Sequence, residues 1–588
     1  MNSIERVKGE WLYLAIINGL LFAVLVPLYV IGVSPLDFAF LDISSLANAS
    51  LLFSLVVLLF LCLLYQILRF FGLSEFGYSM LFLSLFWGVG AGFLFPVAAS
   101  TGMTDASEVG TNYINIFITI AFAIVMTLLV RTAIRRYVYV FVFVMVAVSV
   151  GGKVPSVYQI YFKLDKTGFT TLSKDKNILV FSFDGIPGQM ADSILEENSS
   201  LSSKFVDFNI YNNVVATSPA TLASLMGELY GNIDFKAISP TEKGLLEKLD
   251  KSSLIMNHTD LDVFTYGEYN HFNQNVSTRV PYGGLRDFIS DSDKVDDALL
   301  FYGYVAVRIG TKYLVRVYEN ARPFLKRAIT VLSGPEKAEK SDSVSLNEQL
   351  KNHKGYDWDK RNVASLSDLN SILRDLEIGT SKTVLRYMHF TFTHFPVDFD
   401  GNGNYRSHNI KWFGSNQTEE SVWAETTWAM SKVGEVVDRL KEIGAYDNTL
   451  LVLKSDHGKP ARYFENGEYA LRINEHGDWG YNRYRPMLML KDFGQERTKP
   501  LIVDDLVLLD DLAITLSKRA SDNFEVSHLL GFDLFSLENL GDSEFFLYVA
   551  EDEKSDWRID THKQVTLRRD RDFLEQLEDH SEIRIGRN

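Results

Sequence analysis

Two short motifs place hard ligands at the ends of apolar runs: Phe183-Asp184-Gly185 and Ser455-Asp456-His457-Gly458. A carboxylate just past a buried strand is a common metal ligand, although Asp-Gly is also an ordinary turn. Asp456 and His457 add a second oxygen and an imidazole at a second strand end. Two carboxylates, an imidazole and a hydroxyl suit zinc or manganese, and the nitrogen disfavours calcium. The hydroxyl is expected from the segment Thr217-Ser218-Pro219-Ala220-Thr221-Leu222-Ala223-Ser224-Leu225-Met226-Gly227, which reads as a nucleophile turn entering a helix. Thr217 is the candidate nucleophile. Its hydroxyl is inert at neutral pH unless a base or a metal lowers its pKa, and a divalent cation would also screen an approaching phosphate. A helix opening at Pro219 would add an anion-binding amide end. The competing reading is that Thr217 only caps that helix.

Two further histidines sit near strand ends, His394 in Thr-His-Phe-Pro and His476 in Glu-His-Gly-Asp. Either could hold a phosphate, protonate a leaving oxygen or bind a second metal. His389 falls inside an apolar run and is read as a core residue.

The elements that must carry these residues are short apolar runs separated by helical patterns. Asn177–Phe183, Val384–Phe392 and Thr449–Lys454 read as buried parallel strands, with Pro486–Leu490 a shorter candidate. Helical periodicity covers Pro219–Leu229, Leu366–Leu376 and Ser421–Ile443. Strands alternating with helices predict an α/β domain whose mostly parallel sheet is covered by helices. Active residues of such sheets gather beyond the strand ends. Gly334–Lys354 is polar and charged and reads as a solvated loop.

The first quarter of the chain is different. Charges are sparse from Trp11 to Gly151, and five apolar stretches approach the roughly 20 residues a membrane helix needs: Trp11–Val33, Leu51–Phe71, Tyr78–Ala98, Ile114–Val130 and Tyr137–Val150. Arg6, Lys8, Arg69, Arg131, Arg135 and Arg136 flank one side of these spans, while Ser34–Ser50 and Ser100–Asn112 carry no Lys or Arg. The positive-inside rule then puts the N-terminus in the cytoplasm and everything after Gly152 outside. Ala298–Leu332 is apolar and aromatic, with Arg308, Lys312 and Arg316 at four-residue spacing. It reads either as a helix lying on an anionic membrane surface or as one packed on the catalytic domain. The expected organisation is a five-helix transmembrane domain over 1–151, a linker over 152–176, a catalytic domain over 177–536 with an insertion at 298–354, and an accessory segment over 537–588. A net charge of −16 argues against a nucleic-acid partner. Cys62 is the only cysteine, which excludes a disulfide framework and a thiolate zinc site.

Phe-Asp184-Gly, Thr217 to Gly227, Asp447 to Gly458 and Asp511-Leu-Ala-Ile-Thr515-Leu resemble the ordered landmarks of the alkaline phosphatase superfamily, sulfatase-like branch. The resemblance runs from about Asn177 to Leu530. Five spans before an external domain are similar to the lipoteichoic acid synthases and the lipid A phosphoethanolamine transferases, as are Thr-His394-Phe-Pro, His476-Gly and Arg485-Pro-Met-Leu-Met-Leu490. The resemblance implies a metal held by Asp184, Thr217, Asp456 and His457, with His394 and His476 around the phosphate. The chain departs from those transferases in having Asp184 where they usually place Glu, and in lacking the cysteines for their external disulfides. A threonine cannot become the formylglycine of sulfatases. The resemblance to two-zinc phosphodiesterases implies a second site that Asp398 or Asp400 could complete with His394 and His476.

The sequence therefore predicts a multi-pass enzyme of the cell inner (plasma) membrane with a periplasmic catalytic domain. It would move a phosphoglycerol- or phosphoethanolamine-type group from a phospholipid donor to an envelope glycan or lipid acceptor through a phospho-threonine. The rival expectations are a tethered phosphodiesterase or sulfatase-like hydrolase, and an inactive envelope-assembly scaffold.

Overall fold

Asn177–Phe183 (β1) shows no alternation: all seven residues are buried, as a strand must be when helices cover both of its faces. It pairs in parallel with Val384–Phe390 (β5) on one side and Thr449–Ser455 (β6) on the other. The computed structural model describes residues 3–33, 38, 43–97, 112–155, 157–158, 166–282, parts of 298–327, 357–406, 410–474, 476–520, 529–537, 543–551 and 558–586. It divides into one unit of Met1–Leu164 with Asp287–Lys351 and another of Asp165–Arg286 with Asn352–Asn588.

In the second unit the remaining strands are Asn209–Tyr211 (β2), Asp262–Tyr266 (β3), Arg279–Val280 (β4), Leu488–Lys491 (β7) and Leu501–Val503 (β8). They make an eight-stranded sheet in the order β8-β2-β7-β6-β1-β5-β3-β4. The sheet is parallel except at β7, which runs antiparallel to both β2 and β6. The fold class read from the sequence is thus present in this unit. Gly188–Glu197 (α7), Thr221–Tyr230 (α8), Asp357–Asp375 (α9), Glu419–Glu442 (α10) and Leu512–Ala520 (α11) supply the longer helices. Beyond residue 537, Glu544–Ala550 and His562–Arg568 pair antiparallel. Phe545, Leu547 and Val549 enter a core shared with Tyr481 and Tyr484, so the accessory segment is built into this unit.

In the first unit, Ser3–Leu20 (α1) continues through a π turn into Val26–Val33 (α2), followed by Ile43–Phe70 (α3), Ser74–Val89 (α4), Tyr113–Leu129 (α5) and Arg135–Gly151 (α6). Among the described residues three helices are long and apolar enough to cross a membrane: Glu10–Val33, Ser44–Phe70 and Ser74–Leu94. Of the five spans expected, these three meet that length and apolarity. The fourth and fifth predicted spans fold as helices of 17 residues each, about 26 Å at 1.5 Å per residue, short of the ~30 Å hydrocarbon core.

The expectations for Ala298–Leu332 also need revision. Ala298, Leu299, Phe301, Tyr302 and Val305 are buried in the core of the first unit among α1, α3 and α4. Tyr302 donates to the Ala23 carbonyl, Trp87 donates to the Ile309 carbonyl, and Arg308 donates to the Gly92 carbonyl at 3.0 Å. Residues 298–305 thus pack into the helical core of the first unit, where their apolar and aromatic side chains are buried, whereas Phe324 is exposed. Gly334–Lys354 lies outside the described residues.

Candidate active site

The C-terminal ends of β1 and β6 are neighbours in register, Phe183 opposite Ser455, so the residues that follow them converge. Gly185 turns the chain with φ +70, a conformation that glycine adopts without steric cost. Its amide donates to Asp456 Oδ1 at 3.1 Å, and the His457 amide donates to the same oxygen at 3.0 Å. That leaves Asp456 Oδ2 3.1 Å from His457 Nε2, with Asp184 Oδ1 3.9 Å from the same nitrogen. Asp184, Asp456 and His457 are all buried, and their ligand atoms lie within 4.8 Å of one another.

His457 is oriented for ligation. Its Nδ1 lies 3.1 Å from the Gly458 carbonyl, which favours the proton on Nδ1 and leaves Nε2 as the acceptor, beside the carboxylates and 2.9 Å from Arg483 Nη2. Burial and then the neighbouring Arg483 cation hold this imidazole neutral, well below its ordinary range. For the two neighbouring carboxylates, burial would raise both. His394, His389 and His457 nevertheless keep Asp184 well down, and the charge of Asp184 helps push Asp456 up.

Asp184 Oδ1 and Asp456 Oδ2 are buried and accept no hydrogen bond. Two buried acceptor oxygens aimed at an imidazole lone pair are expensive unless a cation joins them. The donor set therefore fits a divalent metal.

The nucleophile expected from the sequence is elsewhere. Thr217 is 1 % exposed, and its hydroxyl donates to both carboxylate oxygens of Asp510, at 3.0 and 2.9 Å. Its backbone carbonyl accepts from the Tyr548 amide. Helix α8 starts at Thr221, after Ala220 as its cap, not at Pro219. Thr217 is therefore neither the cap nor a member of the ligand cluster. Thr221, on the first turn, is half-buried, and its Oγ1 lies 3.2 Å from His457 Nε2.

Two contacts hold α8 in this place. Ser224 Oγ donates to the Asp456 carbonyl at 2.7 Å, and Glu228 pairs with Lys454 of β6 at 2.6 Å, both side chains fully buried. The threonine stood inside the segment singled out in the sequence, but the signal separating it from Thr217 is the helix start. Ala220 caps without a side-chain bond, so no capping residue marks that start.

Arg483 is a second residue that motif reading missed. It is 2 % exposed and donates through Nη2 to His457 Nε2 at 2.9 Å, through Nη1 to the Gly458 carbonyl at 3.0 Å and through Nε to the Pro219 carbonyl at 2.9 Å. Burial lowers it to about 10, so it stays charged at neutral pH. Gly458 has to be glycine, because a Cβ there would run into the Asn482 carbonyl. His389 is buried, as read, but it is more than core. Its Nε2 lies 3.4 Å from Asp184 Oδ2 and its Nδ1 3.1 Å from Ser182 Oγ.

His394 follows β5 with its ring stacked on Phe395 at 4.4 Å. Although the ring keeps intermediate exposure, its surroundings push it down to about 4. Burial acts first, opposed by the charge of Asp184, and the cations Arg483, Lys459 and Arg361 lower it further. At neutral pH His394 is therefore a neutral imidazole, with one N–H and one lone pair. Asp398 is buried and accepts from Asn362 at 3.1 Å, outside the ligand cluster. Asp400 spends its carboxylate on its own loop, accepting from the Asn402 and Asn404 amides and from Arg406. Its oxygens are taken, so it does not complete a second metal site. His476 begins the short strand His476–Gly480; its side chain lies outside the described residues.

No family model matches this chain, and no curated protein matches it. Among solved structures it is similar to a protein in the alkaline phosphatase superfamily from Vibrio parahaemolyticus, at 13% identity over 68% of this chain and 78% of that one, TM-score 0.35. It is similar to the C-terminal periplasmic domain of EcEptC from Escherichia coli, at 14% identity over 64% and 92%, TM-score 0.31. A third is the PsFucS1 sulfatase from Pseudoalteromonas sp., at 12% identity over 67% and 82%, TM-score 0.34. At such identities and scores, the roles of individual residues rest on this chain's own geometry. The solved structures that it is similar to include members of the alkaline phosphatase superfamily.

Proposed function

We propose that this chain is a membrane-anchored, metal-dependent phosphotransferase with Thr221 as its nucleophile. The observation that carries the reading is the Thr221 hydroxyl 3.2 Å from His457 Nε2, beside two buried carboxylates that converge on that same nitrogen. Asp184, Asp456, His457 and Thr221 would hold a zinc or manganese ion, which lowers the hydroxyl's pKa and screens the incoming phosphate. The donor is a phospholipid. Thr221 Oγ loses its proton and bonds to phosphorus, the phosphorus–oxygen bond to diacylglycerol breaks, and the glycerol oxygen takes up a proton. A hydroxyl of an envelope glycan or lipid then attacks the phospho-threonine and restores Thr221.

The chain's own contribution is positioning and charge, as phosphoryl transfer requires. Arg483 holds a non-bridging phosphate oxygen with a guanidinium that is already locked by two carbonyls. Backbone amides at the start of α8 face the same anion. His394 contributes a neutral imidazole at the phosphate, and His476 is assigned to the phosphate on the resemblance alone. The proposed topology is five spans, a cytoplasmic N-terminus and the catalytic unit outside, supported by the absence of Lys and Arg from 34–50 and 100–112.

The test is intact mass spectrometry of the full chain after incubation with phospholipids labelled in the head group. A head-group phosphate adduct is expected on the wild type and on Thr217→Ala, and none on Thr221→Ala. An adduct that survives Thr221→Ala but not Thr217→Ala would return the role to Thr217. Free head-group phosphate without any adduct would make water the acceptor and the enzyme a hydrolase. No turnover with any phospholipid would leave the scaffold reading standing.

A further inference from the structure

The first unit contains a cavity of about 540 Å³ between α1, α4 and α6, within the size range of small-molecule sites. The three helices share a direction. Tyr78 at the start of α4 donates to Glu10, where the apolar span Glu10–Val33 begins, at 2.6 Å, and Tyr139 near the start of α6 stacks with Phe82 at 6.4 Å between centroids. Their polar ends therefore coincide, and the cavity has two distinct ends. One is lined by Glu10, Tyr78, Arg135 and Arg136; the other reaches Leu25, Val89 and Val146. The lining between them is almost wholly apolar. From Glu10 to Leu25 is fifteen residues, or about 22 Å along a helix, the reach of a long acyl chain lying parallel to the helices.

Charge at the polar end selects the head group. Glu10 is the only acid lining the cavity, and it already accepts the Tyr78 hydroxyl. Among the described residues neither Arg135 nor Arg136 makes an ion pair. Two adjacent guanidinium groups facing a single engaged carboxylate leave this end net cationic.

We infer that this groove binds an anionic glycerophospholipid, one acyl chain lying between α1, α4 and α6 and the phosphate against Arg135 and Arg136. The site is made of first-unit residues alone and shares none with the cluster around Thr221. It holds whether or not the proposed transferase reaction does.

The experiment is native mass spectrometry of the detergent-solubilised full chain, titrated with phosphatidylglycerol and phosphatidylcholine of matched acyl chains. Tighter binding of phosphatidylglycerol is expected. The preference should fall roughly fivefold for each arginine lost in Arg135→Gln and Arg136→Gln, and should persist in the paired lysine variant, which keeps the charge. Val146→Trp, which fills the apolar end, should weaken both lipids alike. Arg131→Gln serves as the control, because Arg131 lies in the turn before α6 and does not line the cavity. Equal affinity of the wild type for both lipids would overturn the inference, as would a preference that survives loss of both arginines. An equal loss in Arg131→Gln would also overturn it, since the effect would then be diffuse surface charge. Should the double glutamine variant fail to fold, the wild-type head-group comparison and the Arg131→Gln control still decide.

Discussion

Thr217 and Thr221 stand four residues apart, yet each enters a different buried polar cluster. Around Thr217, carboxylate oxygens meet hydrogen-bond donors. Asp510 accepts from Thr217 and Asn232. Asp511 accepts from both ends of the Arg569 guanidinium and from the Leu508 and Phe532 amides. Around Thr221, Asp184 Oδ1 and Asp456 Oδ2 have no donor and point at a lone pair. A buried carboxylate whose oxygens are all satisfied is structure, holding helix ends and loops in place. Buried carboxylates that converge without donors are waiting for a cation. Two clusters of similar composition thus differ in the one property that separates framework from chemistry.

The largest effect that could break this comparison is at the ligands. Asp456→Ala should abolish bound divalent metal, measured by elemental analysis of the purified chain, and reduce transfer by about a thousandfold or more. Full activity in a metal-free variant would remove the basis for the proposed site. The counterpart in the other cluster is Arg569→Ala, which strands the buried Asp511 charge. It should destabilise the second unit by about 3–5 kcal/mol in chemical denaturation and leave the metal content per folded chain unchanged. Loss of metal there would merge the two clusters into one.

A smaller effect sharpens the site itself. His389→Gln should weaken metal affinity by roughly 10–100-fold through the orientation of Asp184, in a competition titration with a chelator, without abolishing the site. An unchanged affinity would return His389 to the core.

The last test concerns pH. Burial raises Asp510 from 3.8 to about 7, against the hydrogen bonds of Asn232 and Thr217 that lower it. Between those values the folded chain binds the proton more tightly than the unfolded chain. Stability therefore falls as pH rises through that window. Asp510→Asn removes the titration, so its stability profile should be flatter there than that of the wild type, as thermal unfolding at stepped pH would record. Parallel profiles would mean that Asp510 is already ionised when folded.

Much of this was legible in the chain itself. The apolar runs at 177–183, 384–390 and 449–455 are strands at or near their expected limits, because a strand buried on both faces has to be apolar throughout. The convergence of Asp184, Asp456 and His457 was legible for a related reason, since polar residues that end such runs have few places to go except the edge of the sheet. The direction of β7 was not legible. Four residues of Leu488–Lys491 carry no signal for parallel or antiparallel pairing. Nor was the destination of 298–305, whose apolar character demands a core without saying which. Arg483 reaches His457 from a loop, by a contact that no local pattern announces.

Composition and periodicity alone determined an apolar helical region followed by an α/β unit, and two strand ends bearing acids and an imidazole. Those features are local, set by the burial of each run and the chemistry of the residue that ends it. Which threonine meets the imidazole was decided only in three dimensions. A helix that starts at Thr221, pinned to β6 through Ser224 and Glu228, turns one hydroxyl toward His457 and leaves the other to Asp510. Side-chain direction along a helix changes with every residue of register, and register here is fixed by contacts with strands far away in the chain.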